Sequence, residues 1–217
     1  MITDVPGVSL GRFGGVTAVL VPAGAVAGVD TRGAPLGTRE IDLLDPSTLV
    51  QQVQAVCFTT GGTRGLAAVD GVVRWLESEL RGFPVGLEPH EVVPLVPAAV
   101  VFSGAVPTSD DGFAACGTLV HDGVSAPVGD HTVGAIAFVD EVAVGVVAVD
   151  ALLSQAQCQR VAMSAHDGLV RAGHRVPATV FALATGSVEP ISVDELCTAA
   201  AEVFERALAG TRTPCPD

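Results

Sequence analysis

The chain has 217 residues and a formal net charge of −13; 49% of its residues are apolar and 16% are charged. This composition is typical of one globular domain with a sizeable core, and it excludes a disordered chain. An acidic surface repels phosphate backbones, so we expect no nucleic-acid partner. No apolar run reaches the roughly 18–20 residues of a membrane span, so we expect no membrane partner either.

The five cysteines are scattered without a CxxC pair, which predicts neither a zinc site nor a disulfide framework. We therefore expect no metal and no other cofactor. The opening MITDVPGVSL lacks the basic start and the apolar stretch of a secretory signal, so we expect a cytoplasmic protein. The chain also contains no asparagine and no tyrosine, so no mechanism that needs either residue type from this chain can operate.

The first half of the chain mixes strand and helix patterns. Gly15–Gly33 alternates small apolar residues with Gly and Pro, which predicts short strands and turns. Asp45-Pro46 is a helix-start signal, and Ala55–Thr60 is a β-prone run. Leu66–Leu80 carries apolar residues at helical spacing and closes on Arg81-Gly82, a candidate C-cap.

The second half continues the mixture. EVVPLVPAAVVF predicts a buried strand region interrupted by prolines, and DDGFAACGTLV predicts a loop that enters a helix. The remaining predicted elements are the paired strands His131–Val139 and Val142–Asp150, the helix Leu153–Ala172, the strand ATVFALATG and the helix Val193–Leu208. The class is α+β and layered, with one domain over residues 1–209 and a frayed tail over 210–217.

Six stretches resemble one known family. They are ITDVPGVSLGRF, GAVAGVDTRGAPLGTREIDLLDP, TTGGTRGLAAVDGVVRWL, DDGFAAC, AMSAHDGLVRA and TVFALATG. Together, in family order and over nearly the whole chain, they resemble the DmpA-type (β-peptidyl) aminopeptidases. The resemblance implies a four-layer αββα sandwich and a homo-oligomer. It also implies a precursor that cuts itself ahead of a Ser or Thr, which becomes the nucleophile.

The chain departs from the family at the reaction centre. The resemblance places the nucleophile at Val142, which has no hydroxyl, and an oxyanion-stabilising Asn at Asp140. The family tyrosine falls on Phe113, and the linker before the cleavage point is missing. Because a nucleophile and its oxyanion partners act as a unit, these changes predict one uncleaved chain without the family's hydrolytic chemistry.

Several residues remain as site candidates. Asp111 occupies the family's amine-binding position, and with Phe113 it is assigned to substrate binding; the alternative is a plain loop carboxylate. Asp140 and Glu141 are candidates for general acid/base catalysis, the alternative being a polar hairpin turn. His131 begins its strand and is a third catalytic candidate, or else a polar edge residue.

The predicted substrate-binding set has further members. Arg39 and Glu40 belong to it unless they form a structural pair. Gly61 and Gly62 permit close backbone approach to a ligand, although a tight strand-to-helix turn demands the same residues. Val142 is included because the resemblance places it at the reaction centre.

Three functions are compatible with these residues. The first, which we favour from the sequence, is an enzyme repurposed for carboxylate acid/base chemistry on a small amino-bearing molecule. The second is a non-catalytic relative that binds a ligand or forms a hetero-oligomer with an intact homologue. The third is residual aminopeptidase activity through another nucleophile, such as Thr132 or Cys116.

Overall fold

The computed structural model describes residues 1–190 and 192–210, so that most of the predicted tail over residues 210–217 lies outside the described part. Its α-helices are α1 (Val69–Ser78), α2 (Ser109–Gly117), α3 (Gln155–Arg171) and α4 (Val193–Ala209). Its strands are β1 (Ser9–Phe13), β2 (Val16–Arg32), β3 (Thr38–Arg39), β4 (Gln52–Thr59), β5 (Phe83–Pro84), β6 (Val92–Val93), β7 (Ala98–Val100), β8 (Leu119–Val120), β9 (Val124–Val128), β10 (His131–Val139), β11 (Ala143–Val149) and β12 (Ala178–Ala184).

One long strand, β2, links the two halves of the sheet. Its first part pairs with β1 and β4, its last part pairs with β12, and the register shifts between Leu20 and Ala25. The prediction of several short strands over this segment is wrong. Pro22 and Gly24 fall within the irregular stretch, where an interruption of the ladder bends a strand without ending it.

Three apolar layers define a four-layer αββα arrangement. The central layer, between the two halves of the sheet, holds three phenylalanine rings, Phe58, Phe138 and Phe181. A second layer lies under α3 and α4, and a third lies under α1 and α2. The α+β sandwich expected from the sequence is therefore present. Within the described residues, no helix is long and apolar enough to cross a bilayer.

The paired strands predicted around residue 140 are confirmed. β10 and β11 are antiparallel, with Val139 opposite Ala143, and β11 lies parallel to β12. The helix α3 crosses over between β11 and β12. It begins later than predicted because the Ser154 side chain accepts a hydrogen bond from the Gln157 N–H and caps the helix.

Two helix predictions need correction. No α-helix follows Asp45-Pro46, because the Asp45 carboxylate accepts hydrogen bonds from the Ser47 N–H and hydroxyl and holds a turn instead. The helix predicted from Leu66 starts as a 3-10 helix, Gly62–Ala68, and only then becomes α1. It ends before Arg81-Gly82, since Leu80 already has a left-handed backbone with φ of 56°.

A buried histidine joins α3 to β2. His166 is 2% exposed, and its Nε2 lies 3.1 Å from Oδ2 of Asp30 and 3.2 Å from the Asp30 carbonyl oxygen. Burial lowers the pKa of His166, so the folded protein favours the neutral ring. The unfolded chain takes up the proton at the ordinary pKa of about 6.5.

We predict that the free energy of unfolding falls as the pH drops below about 6.5, because the unfolded state then binds more protons than the native state. Urea unfolding at several pH values measures this slope. His166→Gln reduces the slope, whereas His90→Gln, at an exposed residue, leaves it unchanged. Equal slopes for the native protein and His166→Gln would contradict the prediction.

Candidate functional site

Val142 closes the turn between β10 and β11 and points into the central layer. Its side chain is 5% exposed and belongs to the apolar cluster between the sheet halves. Its N–H donates to Oδ1 of Asp140 at 3.0 Å. The exposed fraction of the side chain borders an open pocket with a volume of about 430 Å³.

The walls of this pocket are almost entirely apolar. They come from the segment after β2, the loop after β7, the hairpin turn and the residue before β12. The lining residues are Ala34, Pro35, Leu36, Phe102, Glu141, Val142 and Pro177. Glu141, which is solvent-exposed, supplies the ionisable side chain among them. Such a pocket suits an apolar body that carries one cationic group.

The Asp140 carboxylate is occupied by backbone donors. Its Oδ2 accepts the N–H of Phe102 at 2.8 Å and of Ser103 at 2.9 Å, while its Oδ1 accepts the Val142 N–H. The side chain therefore ties the hairpin turn to the loop after β7. To exchange a proton with a substrate it would first have to release these bonds. These contacts are the ones expected of a polar residue in a hairpin turn, and a catalytic role for Asp140 stays a prediction.

Gly61 and Gly62 lie against the same loop. The Gly61 N–H donates to the Ser103 carbonyl at 3.1 Å, and both glycines have positive φ, 76° and 67°. A Cβ on Gly61 would lie 2.7 Å from Cα of Val106, and one on Gly62 would lie 3.2 Å from the Phe102 ring. Positive φ at both residues and the close approach of the Ala105–Val106 backbone to Gly61 explain these glycines, which pack behind the pocket wall and do not line it.

Asp111 and Phe113 are on α2 and do not line the pocket at Val142. The Asp111 carboxylate accepts the Thr108 N–H and hydroxyl, both at 2.7 Å, and so forms the capping box of the helix. Phe113 is 40% exposed, and the Arg74 guanidinium lies 5.6 Å from its ring centre. The loop carboxylate predicted at Asp111 is therefore a helix-capping residue.

Arg39 and Glu40 make the contacts of a structural pair. Arg39 Nη1 lies 2.6 Å from Oδ1 of Asp70, and its Nε lies 3.4 Å from Oε1 of Glu40. Oε2 of Glu40 accepts the Val96 N–H at 2.9 Å. The two residues fasten the edge strand β3 to its surroundings, outside the pocket at Val142.

The structure separates His131 from Asp140 and Glu141. His131 starts β10 and Asp140 follows its end, so at about 3.3 Å per residue they lie roughly 30 Å apart. A strand of this length spans the sheet, so His131 lies away from the pocket at Val142, while Glu141 borders it. His131 instead places Nδ1 3.4 Å from Oδ1 of Asp150, beside a separate cavity of about 170 Å³.

The alternative nucleophiles are poorly placed. Cys116 is 2% exposed, and burial raises the pKa of its thiol to about 12, so the reactive thiolate is scarce at neutral pH. Thr132 is next to His131 at the far end of β10.

The sequence did not predict Leu36, Phe102 and Pro177 as pocket residues. Their side chains carry no reactive group, so no chemical signal marked them.

Proteins of known sequence align with most of this chain. A sequence model described as peptidase family S58 matches residues 1–135 and, in an overlapping second piece, 113–211. An uncharacterized aminopeptidase of Mycobacterium leprae is 35% identical over 289 aligned positions, which cover 87% of this chain and 79% of the relative. A Mycobacterium tuberculosis aminopeptidase, also uncharacterized, is 34% identical and covers 86% and 82%. These alignments exceed 217 positions, so the relatives carry internal residues that this chain lacks.

Solved structures agree on the fold. A β-aminopeptidase from a Burkholderia species superposes with a TM-score of 0.72 over 95% of this chain and 84% of its own, at 19% identity. The L-aminopeptidase D-Ala-esterase/amidase of Ochrobactrum anthropi, described as a variant of the Ntn hydrolase fold, gives 0.68 over 95% and 84%, at 18% identity. Since the family match spans both halves of the chain and the curated relatives exceed 30% identity, this chain belongs to peptidase family S58.

Proposed function

We propose that this chain is a non-hydrolytic member of peptidase family S58 that binds a small amino-bearing molecule in the pocket at Val142. The single observation that carries the proposal is the side chain of Val142. At the position that the resemblance assigns to the nucleophile, a buried hydrocarbon side chain borders the pocket. Valine can neither attack an amide carbonyl nor take part in an N→O shift of the backbone.

The turn beside Val142 supports the same proposal. β10 and β11 are joined by Asp140, Glu141 and Val142 alone, and the Asp140 carboxylate bonds to the backbone on both sides of the pocket wall. A carboxylate so engaged stabilises this turn. It offers no hydrogen-bond donor to a developing oxyanion.

The pocket walls indicate the class of ligand. Leu36, Phe102 and Pro177 offer apolar surface, and the exposed Glu141 carboxylate offers a partner for a cation. An aliphatic or aromatic amine would bury its hydrocarbon against the former and pair its ammonium group with the latter. Assembly with an intact homologue, or with copies of itself, remains a prediction of the family resemblance.

A second candidate function is favoured by the same glutamate. Glu141 lines the pocket, and none of the described residues forms an ion pair with it. A free carboxylate beside a bound amine could move a proton on the ligand, so acid/base catalysis would depend on Glu141 rather than Asp140. Turnover of a bound amine that Glu141→Gln abolishes would select this function.

We predict that the purified protein has the intact mass of the full chain, and that Val142→Ser also stays in one piece. The serine would supply a hydroxyl, but the short turn and the engaged Asp140 would remain. Intact-mass spectrometry after prolonged incubation measures this, with Val142→Ala as the matched control. Two fragments from the native protein, the second beginning with a hydroxyl- or thiol-bearing residue, would overturn the proposal.

We predict that n-hexylamine binds more tightly than n-hexanol, and that hexanoate binds least. Glu141→Gln should weaken amine binding by roughly fivefold, the scale of one exposed ion pair, and leave hexanol binding unchanged. Calorimetric titration measures the three affinities, and Glu77→Gln, at an exposed glutamate on α1, is the control. Equal affinities for the amine and the alcohol would rule out the assigned role of Glu141.

We predict that Asp140→Ala lowers the free energy of unfolding by about 1–3 kcal/mol, because it leaves three backbone N–H groups without their acceptor. Asp140→Asn should cost less, since the amide oxygen can still accept. Urea unfolding provides the comparison. Wild-type stability in Asp140→Ala would show that these bonds do not stabilise the turn.

A further inference from the structure

A polar groove of about 220 Å³ lies between the outer surfaces of α3 and α4. It is lined by Arg160, Ser164, Asp167, Arg171, Asp194, Cys197, Thr198 and Ala201. It belongs to the helical face of the second half of the sheet, whereas the side chain of Val142 points into the central layer. The two sites are therefore separate, and a ligand can bind in the groove whether or not the pocket at Val142 binds one.

The groove begins where the two helices touch. A Cβ on Gly168 would lie 2.3 Å from the Ala201 carbonyl oxygen and 2.9 Å from the Glu205 nitrogen, so the helix backbones are in contact there. Further toward the start of each helix, Ser164 and Cys197 form the floor, being only 7% and 6% exposed. The sides of the groove carry the exposed residues Arg160, Arg171, Asp167 and Asp194.

The charges around the groove are of both signs and are not paired with each other. Among the residues that the structure describes, neither Arg160 nor Arg171 lies within ion-pair distance of a carboxylate, and neither Asp167 nor Asp194 meets a cation. In a chain of net charge −13, this groove brings two of the eleven basic residues to one place. A ligand that bridged the opposite charges would satisfy both.

The hydroxyl of Ser164, a largely buried residue on the groove floor, provides the second observation. Ser164 is 93% buried, and within the described part of the chain its side chain makes no hydrogen bond, although a helical serine can donate to a carbonyl one turn earlier. The neighbouring Thr198 does make such a bond, with its hydroxyl donating to the Asp194 carbonyl at 3.0 Å. An unpartnered hydroxyl on the floor of a polar groove is a free donor for a ligand oxygen.

From these contacts we infer that the groove between α3 and α4 is a binding site for a small zwitterion of the amino-acid or dipeptide class. The ligand carboxylate lies between Arg160 and the Ser164 hydroxyl, because a guanidinium and a hydroxyl are its natural donors. The ligand ammonium group lies near Asp194. A ligand that carries only one of these charges leaves the groove residues of one sign without a partner.

The test is a ¹⁵N NMR titration of the full chain with L-alanyl-L-alanine and two matched probes. N-acetyl-L-alanyl-L-alanine keeps only the anion, and L-alanyl-L-alaninamide keeps only the cation. We expect the zwitterion to shift amide signals of α3 and α4 and to bind roughly fivefold more tightly than either probe. Equal affinity for all three, or no shifts on these helices up to the solubility limit, would overturn the inference.

Variants then assign the contacts. Arg160→Gln, Asp194→Asn and Ser164→Ala should each weaken the zwitterion by roughly two- to fivefold, whereas Arg81→Gln, at an exposed arginine outside the groove, should not. Arg160→Gln should leave the cationic probe unaffected, and Asp194→Asn should leave the anionic probe unaffected. The amide spectrum of each variant confirms its fold. Equal weakening by Arg81→Gln would mean a general charge effect and no site.

Discussion

The arrangement around the pocket depends on one carboxylate. Asp140 holds the β10–β11 turn through the Val142 N–H and holds the loop after β7 through the N–H groups of Phe102 and Ser103. These two segments lie on opposite halves of the folded sheet, so the side chain fixes their distance at the edge of the central layer. The Phe102 ring can then form one wall of the pocket while Val142 forms another.

Under the proposed function, the family fold persists without the family's reaction. A fold is stabilised by burial spread over three apolar layers, and Val142 contributes to the central one as any core valine does. A reaction centre instead depends on a few polar groups in a fixed geometry. A valine at the position that the resemblance assigns to the nucleophile is therefore neutral or favourable for packing. Selection on stability alone would not oppose it.

Much of the fold could be predicted because its signals are local and repeated. The strands β10 and β11 and the helices α3 and α4 follow apolar patterns long enough to specify an element, and the family motifs fixed the layers. The turn at Asp45 and the unbroken strand β2 could not be predicted. In both cases a contact decides the structure: a carboxylate that bonds to Ser47, and a neighbouring strand that carries β2 past Pro22.

The site was harder to predict for a related reason. Asp111, Arg39 and Glu40 are polar residues in family motifs, and Asp140 lies where the resemblance places an Asn. In the structure the polar atoms of these four side chains contact nearby backbone or charged groups. Sequence shows which residues could do chemistry but does not show which are already committed to a cap, a turn or an ion pair. The apolar wall residues could not be predicted for the opposite reason: their side chains shape the pocket but carry no reactive group that a sequence pattern would mark.

The short connection between β10 and β11 has a consequence for refolding. Closing a loop of three residues costs little chain entropy, so this strand pair can form early and locally. A protein cut at the same point would have to bring two separate polypeptides together, which makes recovery after denaturation dependent on concentration. With the hairpin intact, the centre of the sheet can reassemble at any dilution, within a single molecule.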